Sequence, residues 1–214
     1  SLLTIGGILL GGGYTWLGVA LFGVCTVIDI GTRNIHRRAD FASDGTSYGV
    51  KRFQYGVMYM MLPVFIALQL ALAWQIRKYA VSASEAVALS NLFGAILSAA
   101  LWAGLGIIYG HELSHNRREG FFVSRLIMAL SGASHFTYAH VYNHHLDLGH
   151  ENDPATAPRG RNVYAHAWHS HMGQSHYSFD MESGKAKRRQ KSFMNFDNRW
   201  IIGYLFSLPT LVLF

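Results

Sequence analysis

The chain has 214 residues, half of them hydrophobic and only 14% charged, well below the roughly 25% charge usual in soluble domains. Its formal net charge of +6 would suit nucleic acid, but the basic residues stand beside long apolar blocks, which fits a membrane surface and argues against a nucleic-acid partner. The single cysteine, Cys25, excludes an internal disulfide framework.

Residues 2–10 are apolar and lead into the glycine triplet 11–13, which favours a turn. Residues 14–30 form a second apolar stretch, near the lower limit of about 17 residues for a spanning helix. The pattern predicts a short span and a second one after it, with a single tilted span over 2–30 as the alternative. Cys25 lies in this run as a packing residue. Residues 31–52 are polar and basic. Residues 53–74 read as a spanning helix, in which Pro63 is tolerated because a membrane helix can re-satisfy the freed backbone groups. Residues 75–84 form a short polar link. The span predicted over 85–109 runs without a break into His111. Residues 121–138 are moderately apolar and contain Arg125, which predicts a segment along the membrane interface. Residues 139–199 are polar and histidine-rich, and 200–214 begin another span.

These elements predict an all-α fold, a polytopic transmembrane helical bundle with a cytosolic histidine-rich metal region over 111–199. The chain opens and closes inside apolar sequence, so residues 1–214 are expected to be one integral-membrane domain that is incomplete at both ends. Orientation follows from the basic residues. Loop 31–52 holds five, the region 111–199 eleven, and the link 75–84 between them only Arg77 and Lys78. Cytoplasmic segments are enriched in lysine and arginine, which puts the first two regions on the cytoplasmic side, separated by two crossings.

Of the twelve histidines, eleven fall between His111 and His176, and imidazole is the commonest metal-ligand side chain. His111-Glu112-Leu113-Ser114-His115 forms a first box directly after a predicted span. Residues four apart share a helix face, so both imidazoles converge on one metal just outside the membrane. His140-Val141-Tyr142-Asn143-His144-His145 forms a second box. On an α-helix His140 and His144 share a face, and His145, rotated by about 100°, reaches towards a neighbouring metal. Five imidazoles are too many for one ion and suit two. Imidazole accepts iron, zinc, copper or nickel, but zinc has no redox chemistry, and a site at the end of membrane spans is placed for a lipid-soluble substrate. A redox metal and dioxygen are therefore expected. Glu112 is expected beside a ligand histidine, as a proton holder or orienting group, and Asp153, in an Asp-Pro turn, is expected to accept a hydrogen bond from a ligand imidazole. His36, isolated in the basic loop, is not a candidate ligand, and His135 is expected in a core or supporting position.

The boxes HELSH and HVYNHH, with residues 139–165 (AHVYNHHLDLGHENDPATAPRGRNVYA), resemble the membrane-bound alkane and xylene monooxygenases of the membrane fatty acid desaturase and hydroxylase superfamily. The resemblance covers roughly residues 85–185. It implies a six-span helical fold, two non-haem irons, O2 as co-substrate, and hydroxylation of the terminal carbon of an alkane or of a methyl group on an alkyl-aromatic. It also implies a rubredoxin, or a flavin and iron–sulfur reductase, as electron donor, and a bacterial inner-membrane location among membrane lipids. The family's further histidine segments do not occur before Phe214, so the remaining ligands are expected downstream. His150, His166, His169, His171 and His176 match no family ligand.

Two other readings remain open. A fatty acyl desaturase uses the same metal logic to remove two hydrogens. His111–His115 also fits the H-E-x-x-H signature of zinc metalloproteases, with Glu112 as general base. The basic run 185–191 suits anionic headgroups or docking of an acidic electron carrier.

Overall fold

The computed structural model describes residues 2–32, 48–81, 86–116 and 118–213. His36, most of the basic loop 31–52, the end of the link 75–84 and Arg117 lie outside the described residues. The described residues are helical, with no strand among them. The chain divides into two compact units, residues 1–106 and 107–214, with the boundary inside one long helix.

The first unit contains α1 (Leu2–Leu10), a 3-10 turn (Gly12–Trp16), α2 (Leu17–Thr32), α3 (Tyr48–Val81) and the larger part of α4 (Ala86–Ser114). Among the described residues, three stretches are long and apolar enough to cross a membrane: Gly12–Thr32, Arg52–Val81 and Leu89–Ser114. At 1.5 Å rise per residue, the 30 residues of the second span measure about 45 Å and outreach the roughly 30 Å hydrocarbon core. α3 therefore absorbs most of the link predicted over 75–84. Gln75, Arg77 and Lys78 favour a helix once an apolar rod precedes them. Many apolar side chains of these helices face outward, among them Phe53 and Leu70, as expected of a lipid-facing surface.

α1 is a separate element that turns back at Gly11, whose φ of 78° suits only glycine, and it packs on both α2 and α3. Residues 2–30 are thus not one tilted span. Small residues bring the helices together. A Cβ on Gly18 would lie 2.5 Å from the Ser98 Cβ, and one on Gly106 would lie 2.1 Å from Phe65. The backbone groups freed at the turn find side-chain partners, which an apolar setting requires. Gln75 donates to the Ile8 carbonyl. Ser98 Oγ donates to the Thr15 carbonyl at 2.7 Å and accepts from the Val19 N–H at 3.2 Å. Ile8, Leu68, Ala71, Leu72, Ala95 and Ala99 form the core beneath them.

The second unit starts with the end of α4 and continues through α5 (Arg118–Leu130), α6 (Phe136–Ala139), a π-helical turn (His140–His144), α7 (His145–Asp147), α8 (Val163–Arg188) and α9 (Arg199–Leu213). α5 carries its apolar face, Ile127 and Met128 included, into the core and approaches Gly110 of α4 so closely that a Cβ there would meet Met128 at 2.9 Å. Asn162 caps α8 by accepting from the Ala165 N–H at 2.8 Å, and Asn198 caps α9 through the N–H groups of Trp200 and Ile201 at 3.0 and 3.1 Å. α8 buttresses the histidine segment. Tyr177 Oη donates to the Tyr142 carbonyl at 2.9 Å, and Ser178 Oγ donates to the His135 carbonyl at 3.1 Å.

Candidate metal centre

The first box lies at the C-terminal end of α4: His111 is in its last turn and His115 just beyond Ser114, where the chain tightens to bonds three residues apart, the His115 N–H to the Glu112 carbonyl at 3.3 Å, with the two ring centroids 5.0 Å apart. The second box comes up beside them on the rod formed by α6, the π turn and α7. His140 is its innermost member, 7% exposed, with Phe136 stacked on its ring at 5.1 Å. The ligand atoms of His111, His115 and His140 all lie within 4.8 Å of one another.

The second box does not follow α-helical spacing. In a π-helix hydrogen bonds run from i to i+5, so the ring that returns beside His140 is His145, with Nε2 atoms 3.0 Å apart. The His144 ring also stays beside His140, stacked on it at 5.4 Å with 25° between the planes, as the expected shared face has it. What differs is His145, expected to reach towards a neighbouring metal: the wider turn brings its ring to 4.6 Å from His140 and 4.8 Å from His115, into the group that holds His111.

His144 goes to Asp153. Its Nδ1 lies 2.7 Å from the Asp153 carboxylate, which is 3% exposed and also accepts from the Thr156 hydroxyl and, at 2.9 Å, from the Ala155 N–H. Burial alone would raise this carboxyl, but the hydrogen bonds from Thr156, His144 and Ala155 outweigh it and hold the group below the usual carboxylate range. An ionised Asp153 can only accept, so His144 carries its proton on Nδ1 and presents the Nε2 lone pair, as in carboxylate–histidine–metal arrangements. The loop is wedged in place by Pro154 against α8, where a Cβ on Gly173 would meet the Pro154 Cβ at 2.5 Å. Glu112 stands in an analogous but more exposed position, its Oε1 3.1 Å from His111 Nδ1.

The donor set fits a metal ion. His140 Nε2 faces His115 Nε2 at 3.1 Å and His145 Nε2 at 3.0 Å. A neutral imidazole has one proton, so three ring nitrogens turned on one another cannot all be satisfied by hydrogen bonds. Nitrogens bound about 2.1 Å from a common ion stand roughly 3–3.4 Å apart, so a cation accounts for the spacing. Burial, with the neighbouring His111, His145, His115 and His144, lowers the His140 pKa to about 3. Burial likewise lowers His115, aided by His111 and His145 and opposed by Glu112. Both rings are neutral at physiological pH, the form that ligates.

Of the other histidines, His135 is 2% exposed, its Nδ1 3.2 Å from Tyr204 Oη and its ring 4.5 Å from that of His171, a supporting place in the core as expected. His176 pairs with Asp180 one helical turn away at 3.3 Å. Among the described residues His150, His166 and His169 join neither group. Sequence reasoning missed Phe136 and Thr156. Thr156 had a legible signal, since Asp-x-x-Thr spacing favours a local side-chain turn.

The profile of the fatty acid desaturase family matches residues 86–214, from the start of α4 through both boxes to α9. The chain belongs to the fatty acid desaturase family. Within it, the chain is similar to curated alkane 1-monooxygenases. It is 30% identical to that of Pseudomonas putida over 150 residues, 69% of this chain and 36% of that protein. It is 28% identical to alkane 1-monooxygenase 1 of Alcanivorax borkumensis over 149 residues, 69% and 35%. It is 28% identical to that of Acinetobacter baylyi over 165 residues, 76% and 40%. The chain thus spans little more than a third of the length of these relatives.

Proposed function

We propose that this chain is part of a membrane-bound, O2-dependent di-iron hydroxylase that attacks unactivated C–H bonds, at the terminal carbon of an alkane or the methyl group of an alkyl-aromatic. The observation that carries the reading is the convergence of His111, His115, His140 and His145 at the end of an apolar helix, in a chain similar to alkane 1-monooxygenases. His111, His115, His140 and His145 hold one iron or share a pair, and His144, oriented by Asp153, reaches the second. Further ligands come from the rest of the protein.

Two irons supply the redox chemistry that activates O2, in the balance R–H + O2 + 2 e⁻ + 2 H⁺ → R–OH + H2O. The two electrons come from a rubredoxin or a flavin and iron–sulfur reductase. The chain's own residues do the rest. Neutral imidazoles bind without a proton to displace. Asp153 fixes the His144 tautomer. Glu112, half exposed beside His111, carries protons between water and the site. The apolar spans admit a substrate from the bilayer, which keeps bulk water away from the reacting carbon.

The test uses the complete protein in detergent. Elemental analysis should give two irons per chain, and a medium-chain alkane with donor and O2 should yield the terminal alcohol. One zinc per chain would instead support the H-E-x-x-H protease reading. The competing reading is a fatty acyl desaturase, and an alkene product from an acyl substrate would establish it. The membrane is the bacterial inner membrane, with the histidine region on the cytoplasmic side. Cysteines placed at Ser82 and Ser183 in a Cys25→Ser background should label from opposite sides, and labelling of both by an impermeant reagent in intact cells would overturn the orientation.

A further inference from the structure

Away from the histidines, α5 and α9 leave a groove of about 300 Å³, at the low end of ligand-site volumes. Phe122, Leu126 and Ala129 of α5 and Ile202 and Phe206 of α9 form its apolar walls. Gly203 lets α9 approach the turn that follows α5, since a Cβ there would meet Ser134 at 2.8 Å. Arg125 and Arg199 stand at the groove, both placed over the ring of Tyr138, at 5.1 and 5.3 Å from its centroid. Among the described residues neither guanidinium takes part in an ion pair. Asp197 also lines the groove, but Lys191 engages its carboxylate. Ser134, 4% exposed, lines it as well, and its Oγ has no hydrogen-bond partner.

Two like charges held against one aromatic ring repel each other, and a groove that is apolar along its walls and doubly cationic at one part is complementary to an anionic amphiphile. Guanidinium forks match phosphate oxygens in bidentate pairs, and two of them suit a phosphodiester better than a single carboxylate. The orphaned Ser134 hydroxyl supplies one more donor inside the groove. Phe122 and Phe206 are exposed at 55% and 53%, an apolar surface of the kind that marks an interaction site when charge adjoins it.

We propose that this groove binds one anionic phospholipid of the bilayer, with an acyl chain between α5 and α9 and its phosphodiester between Arg125 and Arg199. The site is separate from the histidine cluster and does not rest on the proposed hydroxylase activity. Its role is structural or regulatory. The lipid offsets the repulsion of the two guanidinia and ties α5, which packs against the box-one end of α4, to α9.

Native mass spectrometry of the complete protein, released from detergent with added lipid, tests this. One dioleoyl phosphatidylglycerol per chain should be retained in preference to dioleoyl phosphatidylcholine. Neither glycerol phosphate nor inorganic phosphate should compete, since they lack the chain. Arg125→Gln with Arg199→Gln should lower retention about tenfold or more, the loss expected for charge-assisted bonds, while Lys187→Gln in the basic run should leave it unchanged. Ile202→Trp, which fills the groove and keeps both charges, should also lower it, so the proposal stays testable if the double variant folds poorly. Retention of oleate but not phosphatidylglycerol would overturn the phosphodiester assignment. Equal retention of both phospholipids, competition by free phosphate, or unchanged binding in Ile202→Trp would overturn the groove as a lipid site. So would a groove already filled by the rest of the chain.

Discussion

The two histidine boxes present similar spacings on different backbones. The first is carried by the end of α4 and the tighter turn that follows Ser114, and its meeting rings are four apart, His111 and His115. The second is carried by a π turn, and its meeting rings are five apart, His140 and His145. The helix type, more than the histidine spacing, decides which imidazoles converge. His144 on the same segment also bonds a separate partner, Asp153, so one short segment serves two places.

The sharpest test of this difference is substitution within the second box of the complete protein. His140→Ala should abolish bound iron and turnover, and His145→Ala should match His111→Ala and His115→Ala in severity, because its ring belongs to the same cluster. Elemental analysis and product formation measure both. Full iron retention in His145→Ala would show that the π turn does not place it as a ligand. Asp153→Asn should cost less, about 10- to 100-fold in metal affinity or activity, the usual range for a group that orients a ligand. Its effect should not add to that of His144→Ala, since both act through one bond, and additive losses in a double-mutant cycle would break the link.

Much of this is legible in the sequence. The run of α4 into HELSH needs only hydropathy and four-residue spacing. That Asp153 accepts from a ligand histidine is expected from the role of carboxylates around metal sites, but which histidine it engages, His144, is shown only by the structure. The π turn was not legible, because no residue preference marks one. Its own residues Val141, Tyr142 and Asn143 are compatible with an α-helix, and the bonds seen on the wider turn are the one from Tyr177 on α8 to the Tyr142 carbonyl and a local one from buried Asn143 to Asp147 at 3.0 Å. The length of α3 was underread for the opposite reason. Hydropathy falls after Trp74, but helix propensity does not, and the helix follows propensity to Val81.

Smaller effects bear on the surroundings of the second box. Burial and the neighbouring His171 push His135 down to about 3. As pH falls below about 6.5 the unfolded chain takes up a proton here that the folded protein refuses, so metal-free protein loses stability between pH about 6.5 and 3, by up to about 1.4 kcal/mol per pH unit from this group. His135→Gln should flatten that slope in denaturant titrations at several pH values, and an unchanged slope would show that the ring is protonated in place. The least effect is expected on the first box. Glu112→Gln should leave iron content intact and lower turnover by less than a ligand loss does, because Glu112 is half exposed and water can replace it. Loss of iron in that variant would make Glu112 a ligand.

The π turn also has a mechanical consequence. It takes one more residue than an α-helical turn to come back to the same face. Deleting one residue within 141–143 would leave His140 and His145 four apart, the spacing that shares a face on a regular helix. The pairing of those two imidazoles can therefore survive a change of length that a strictly α-helical box would not tolerate.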